Sequence, residues 1–262
     1  MVNKTHKEFL HKRHTSFVRS AGVYYWWDVL DTEDNFEKNI DKLEFYINNP
    51  ITYKINKHLF RSDFNFDDIK GKDVDIALGC SHTFGAGHIS ENTWPSILAY
   101  KTDRTIINLG TPGHGAEMSY INLKKYINHF NVKNVFHYQN IQHRYYYFNG
   151  KHSCFFATHE DENIPYKEEY RKKWLTSDEL ILHNYHRAID ACKGVCADNG
   201  TNYYIISKVP DASNYDHTVD KYRVNKNSNP EDIPARDLIH FTKLEQEQIA
   251  NWFYKKCSNT II

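Results

Sequence analysis

The chain is 262 residues long and 40% hydrophobic, with Lys+Arg and Asp+Glu at 33 each, enough for one sheet-based domain with extensions. The even charge excludes a global field that would draw nucleic acid or an anionic membrane surface. No apolar run approaches the ~20 residues of a membrane span.

The mean hydropathy is negative because Lys, Asn, His and Tyr are abundant, not because apolar residues are scarce. The 19 Tyr, 15 Phe and 5 Trp are accounted for by core and loop packing; stacking on sugars or bases is the rarer use. Met1 to Ser20 is charged and His-rich without an apolar core, so no secretory signal is visible. Cys80, Cys154, Cys192, Cys196 and Cys257 form an odd, scattered set. Cys192 and Cys196 share a helical face, but no second close pair completes a zinc site. Buried free thiols in a reducing compartment are expected.

Residues 1–72 read as an N-terminal extension packed on a main domain of residues 73–262. Within the extension, the spacing of Phe36, Ile40 and Leu43 predicts one amphipathic helix between Asp31 and Asn49, stopped by Asn48-Asn49-Pro50. Ile51 to Ile55 alternates as an edge strand does. From residue 73 the texture changes. Val74–Leu78, Thr105–Leu109, Asn134–Tyr138 and Tyr203–Ser207 read as strands, and Trp94–Lys101, Ala116–Phe130, Ser177–Asn199 and Thr242–Lys256 as helices. This alternation predicts parallel βαβ units. The expected fold is an α/β three-layer α/β/α sandwich with a mostly parallel, flavodoxin-like sheet of about five strands. Residues 139–175 and 208–235 lack periodicity, and connections of that length often build binding walls or lids.

In such a sheet, sites form beyond the carboxyl ends of the strands, and three stretches fall there. Gly79-Cys80-Ser81-His82-Thr83-Phe84-Gly85 follows the first parallel strand. A Ser on a tight turn before a helix exposes its Oγ and points its N–H into the site, so it can be both nucleophile and oxyanion donor; the plain alternative is a helix N-cap. Asn108-Leu109-Gly110-Thr111-Pro112-Gly113-His114-Gly115 follows the second strand. Its turn can aim amide N–H groups at an oxyanion, or it can be an ordinary connection. Asp237-Leu238-Ile239-His240 precedes the last helix. An Asp three residues before a His can fix the imidazole tautomer for proton transfer; a solvated His at a helix start is the alternative.

Taken in order, these blocks resemble the SGNH (GDSL-like) hydrolases. Gly79-Cys80-Ser81 with Thr83 and Gly85 is similar to that family's first block, with Cys80 where an Asp is usual. Trp94-Pro95 and Leu98 resemble its next helix. Asn108 to Gly113 resembles the second block, and Asp237 to His240 the last. Tyr53-Lys54-Ile55-Asn56 with Phe60-Arg61 resembles a segment preceding the Ser block in some members. The third block, usually Gly-x-Asn-Asp, would be Tyr138-Gln139-Asn140-Ile141, with Gln139 or Gln142 as substitutes for Asn140.

The resemblance implies a serine ester hydrolase acting through an acyl-enzyme. Ser81, Asp237 and His240 would be catalytic, and Ser81, Gly113 and Asn140 would form the oxyanion hole. By adjacency in sequence, His82 and His114 would lie near substrate; a solvated or core His is the alternative for each. The resemblance implies a broad esterase, lipase, thioesterase and acyltransferase class; the aromatic, polar loops and the lack of a long apolar cleft signature favour a small-molecule or glycan ester, with short acyl groups on a carbohydrate or other polar carrier. An O-acyltransferase using the same residues, or a non-catalytic binding or structural module on the same scaffold, are the other readings. No cofactor is expected and no metal: the spacings of His137, His143 and His152 match no firm ligand pattern. Gly79 to Gly85 lacks the Gly-Lys-Ser/Thr of a phosphate loop, which disfavours nucleotide binding. A cytoplasmic or virion-associated location is expected.

Overall fold

The computed structural model describes residues 20–27, 31–139, 144–148, 153–157, 178–207 and 232–258. The chain begins with β1 (Gly22–Tyr24), followed by α1 (Glu33–Lys38), α2 (Phe45–Asn48) and β2 (Tyr53–Ile55), which pairs antiparallel with β1. Tyr53 and Ile55 are buried while Lys54 faces out, the alternation expected of an edge strand.

The single helix expected between Asp31 and Asn49 is instead three short pieces, with a 3-10 turn at Ile40–Lys42 between α1 and α2. Asn39 explains the break. Its side-chain amide donates to the Asn35 carbonyl, while its backbone N–H goes to Phe36. An Asn that competes for helical acceptors in this way ends the helix. Ile40 is left exposed, whereas Leu43 and Tyr46 are buried.

The main unit follows as β3 (Asp73–Gly79), the one-turn helix α3 (Ser81–Phe84), α4 (Trp94–Thr102), β4 (Ile106–Asn108), α5 (Ala116–Tyr126) and β5 (Asn131–Gln139). Next come β6 (Arg144–Phe148) and β7 (Ser153–Ala157), which form an antiparallel ladder, then α6 (Asp178–Asp198), β8 (Asn202–Ser207) and α7 (Lys243–Ser258). The central sheet is parallel, in the order β4-β3-β5-β8. It has four strands among the described residues, against about five expected. After β8, the last described element is α7, a helix on one face of the sheet.

The alternation of side chains along each strand builds one apolar cluster on each face. Val74, Ile76, Leu78 and Val135 pack against Leu123 and Tyr126 of α5 and Cys192 and Cys196 of α6. Ala77, Phe136, Tyr138, Tyr204 and Ile206 face the other way, against Trp94 and Leu98 of α4 and Ile249, Trp252 and Phe253 of α7. The fold is therefore a three-layer α/β/α sandwich. Cys80, Cys192 and Cys196 are free and buried. Burial pushes the Cys196 thiol up to about 12, so it stays protonated.

The N-terminal segment packs on the carboxyl end of this sheet. Trp27, Leu43, Tyr46, Ile51, Tyr53 and Ile55 share a cluster with Phe84 and Ala86, just past the Ser81 turn. Phe60 and Phe66 reach into the α5–α6 side of the core. None of the described helices is long and apolar enough to cross a membrane.

Candidate active site

β3 runs into the Ser81 turn, and each carbonyl of α3 and its exit has a dedicated partner. Gln246 Nε2 donates to the His82 carbonyl and Asn108 Nδ2 to that of Thr83. Arg61 donates from Nη1 to the Phe84 and Gly85 carbonyls and from Nη2 to that of His88. The opposite end is open. Among the described residues, neither the Ser81 N–H nor its Oγ has a hydrogen-bond partner. Cys80, not Ser81, holds the N-cap position, and it makes no side-chain capping bond.

Glycine is needed where this turn meets its neighbours. Gly79 has φ 149°, and a Cβ there would lie 2.2 Å from Thr83 Oγ1 and 2.4 Å from the Tyr138 carbonyl. A Cβ on Gly110 would lie 2.5 Å from the Phe84 nitrogen. The second block is thus pressed against the first. Asn108 staples them, donating to Thr83 while its Oδ1 accepts the Gly110 N–H at 2.9 Å. The Thr111 N–H donates to the Gly79 carbonyl at 2.9 Å. Gly113 sits at φ 76° inside a turn closed by His114 N–H on Thr111. That positive φ at the third turn position, after a Pro, is the pattern of a type II turn.

The last block comes to the same end of the sheet. His240 Nδ1 bonds Asp237 Oδ2 at 2.5 Å, and Asp237 Oδ1 accepts the N–H groups of Ile239 and His240, each at 3.0 Å. Burial raises the Asp237 carboxyl, but the His240 imidazole and these N–H donors outweigh it and hold it below the ordinary carboxylate value. His240 keeps 14% of its side chain exposed, and its Nε2 has no hydrogen-bond partner among the described residues. The His82 ring links the two blocks, 5.0 Å from the His240 ring and stacked on Phe241 at 3.9 Å. Ser81 Oγ and His240 are not directly hydrogen-bonded among the described residues.

No protein-family model matches this chain, and no curated protein does. Among solved structures it is similar to a candidate lipolytic protein of the G-D-S-L family from Desulfitobacterium hafniense DCB-2. That similarity has 12% identity and a TM-score of 0.43, over 70% of this chain and 98% of that one.

Other residues singled out in the sequence fall as follows. His114 is buried, with its Nδ1–H on the Pro112 carbonyl at 2.7 Å, and so braces its own turn. His137 is fully buried between the Tyr203 hydroxyl and Gln139 Oε1. Burial pushes its imidazole down to about 4, which makes it a neutral core residue. Gln139 is thereby engaged with His137. Asn140, Gln142, His143 and His152 lie outside the described residues. Among the described residues no group of three or more His, Cys, Asp or Glu is placed to hold a metal.

Sequence reasoning did not assign roles to Gln246, His88, Asp31 or Arg236. Buried His88 bonds the Phe241 carbonyl through Nε2 at 2.5 Å, fixing the backbone just after His240. Arg61 belongs to the segment from Tyr53 to Arg61, and Asn108 to the second block. For both, only the three-dimensional partner shows that the side chain supports the Ser81 turn.

Proposed function

We propose that the chain is a serine ester hydrolase of the SGNH type. The observation that carries this reading is the Asp237–His240 bond beside a Ser81 turn whose carbonyls are all engaged and whose leading N–H and Oγ are open. His240 Nε2 takes the Ser81 Oγ proton as the oxygen attacks an ester carbonyl carbon. Asp237 fixes the Nδ1–H tautomer and stabilises the imidazolium. The N–H groups of Ser81 and Gly113, with the Asn140 amide, hold the oxyanion. Collapse expels the alcohol, which takes the proton back from His240. Water then attacks the acyl-enzyme by the same route in reverse and releases the acid. His82 walls the site, and His114 supports the Gly113 turn.

The preferred substrate class is a short acyl group on a polar carrier such as a carbohydrate, because the long connecting segments 139–175 and 208–235 are rich in polar and aromatic residues in the sequence. A fluorophosphonate probe tests the chemistry. Folded wild-type protein is expected to form an adduct that Ser81→Ala lacks; the absence of any Ser81-dependent adduct overturns the reading. Across nitrophenyl esters of rising chain length, turnover is expected to fall, and a preference for long chains overturns the short-acyl assignment.

A further inference from the structure

The N-terminal segment reaches into the loop that carries Asp237 and His240, and it does so through a buried ion pair. Arg236 donates from Nε to Asp31 Oδ1 at 2.6 Å and from Nη2 to Asp31 Oδ2 at 3.0 Å. Its Nη2 also donates to the Tyr25 carbonyl at 2.5 Å. The guanidinium lies 4.0 Å from the centre of the Trp26 ring. The Tyr53 hydroxyl donates to Asp31 Oδ2 at 2.6 Å and itself accepts the Gly87 N–H at 2.9 Å. Gly87 returns its carbonyl to the Arg236 N–H at 2.8 Å. The Tyr46 hydroxyl donates to the carbonyls of Gly87 and Pro234.

These contacts fix Arg236 in both side chain and backbone, and the next residue is Asp237. The turn beyond it is strained. Leu238 has φ 60°, a left-handed conformation that is unfavourable for a residue with a Cβ. Such a residue persists only where its surroundings over-determine it. Here the turn is pinned on one side by Arg236 and on the other by His88 on the Phe241 carbonyl. A buried ion pair is weak evidence for stability, since desolvation offsets much of its attraction. Its directional grip on one loop is a separate property.

We propose that Arg236, clasped by Asp31 and Tyr53, is a positioning residue that sets the Asp237–His240 pair toward Ser81. Its catalytic meaning rests on the hydrolase reading above. The N-terminal segment then acts on the catalytic pair through Arg236.

Asp31→Asn in the full chain tests this, because it keeps the size and removes the charge. Two readouts are needed: kcat and KM on a short-chain nitrophenyl ester, and the deshielded His240 Nδ1 proton resonance. Asp75→Asn is the control, removing an equally buried carboxylate that serves Arg104 at the other end of the sheet. The expected result for Asp31→Asn is a kcat ~10–100-fold lower, as for a small misplacement of a catalytic group. KM should stay within about twofold and the Nδ1 resonance should move or vanish. Arg236→Lys, which keeps the charge but not the two-pronged geometry, should fall between. Asp75→Asn should lose thermal stability with kcat and resonance intact. An Asp31→Asn protein that loses only stability, with wild-type kcat and resonance, overturns the proposal. If Asp31→Asn does not fold, Tyr53→Phe removes one hydroxyl from the same clasp and is judged by the same two outcomes. Wild-type protein that takes no probe at Ser81 would sink the hydrolase reading alone. The Nδ1 resonance would still decide the clasp, its loss in Asp31→Asn supporting it and its retention overturning it.

Discussion

The two ends of the central sheet handle buried polar groups in opposite ways. At the amino end, Asp75 accepts Arg104 Nε at 2.6 Å and Nη2 at 2.9 Å. It also takes the Asn134 N–H and side-chain amide, both at 3.0 Å. Asn134 Oδ1 in turn accepts from Asn202, so the network runs on from Arg104 to the start of β8. At the carboxyl end the carbonyls of the Ser81 turn are equally well engaged, yet the Ser81 Oγ, the Ser81 N–H and His240 Nε2 are left without partners among the described residues. Saturating a buried polar group stabilises a fold, while leaving a donor or acceptor open forgoes that gain. Groups that are open in one place and closed in another mark the end where chemistry is expected.

Substitutions at the two ends should separate function from stability. Asp237→Asn leaves an oxygen for the Ile239 and His240 N–H groups but removes the anion that fixes the His240 tautomer. Turnover should drop ~10²–10⁴-fold, measured as kcat on a short-chain ester. Retained turnover would mean that His240 is not the working base and would erase the contrast. Asp75→Asn should do the reverse, costing about 2–3 kcal/mol because Arg104 is partly exposed and keeps some solvation, with no change in kcat. Urea titration checks the first half and the ester assay the second. A loss of turnover there would show that the two ends are coupled.

The smallest expected effect is on the pH dependence of stability. Burial pushes His88 and His137 down to about 4, below the ordinary histidine value of ~6.5. Between those limits the unfolded chain binds more protons than the folded one, so stability rises with pH through that window and falls on acidification. Glu117, which burial pushes up to about 7, acts with the opposite sign from its ordinary ~4.5 upward, because the folded state there holds the extra proton. Two histidines against one carboxyl leave a net loss of stability as pH falls from about 6 to 4.5. Urea midpoints across that range should show it, and His137→Gln should flatten the slope. A flat wild-type profile would mean that the buried histidines are solvated or already charged.

Much of the fold was legible because its signals are local. The runs at Val74–Leu78 and Tyr203–Ser207 are apolar and end at turn residues, and the structure extends them by a residue or two at most. The helix expected at Ser177–Asn199 is found at Asp178–Asp198. The break at Asn39 was not legible, because apolar spacing says nothing about a side chain that bonds its own helix. At the site, the Asp237–His240 pairing is a three-residue relation that the pattern shows directly. The roles of Arg61 and Asn108 depend on carbonyls 24 and 25 residues away. No sequence window holds the Asp31–Arg236 pair, whose members are 205 residues apart.

That separation bears on how the protein comes into being. The βαβ units of the sheet join neighbours along the chain and can condense as they are made, whereas contacts between distant residues wait on the closure of a long loop. Asp31 emerges from the ribosome early and has no guanidinium to meet until Arg236 follows. The loop bearing His240 would therefore take its final shape late, after the sheet that carries Ser81. On the hydrolase reading proposed above, a nascent chain would hold its serine turn well before it holds its base, and activity would report that the two distant segments had met.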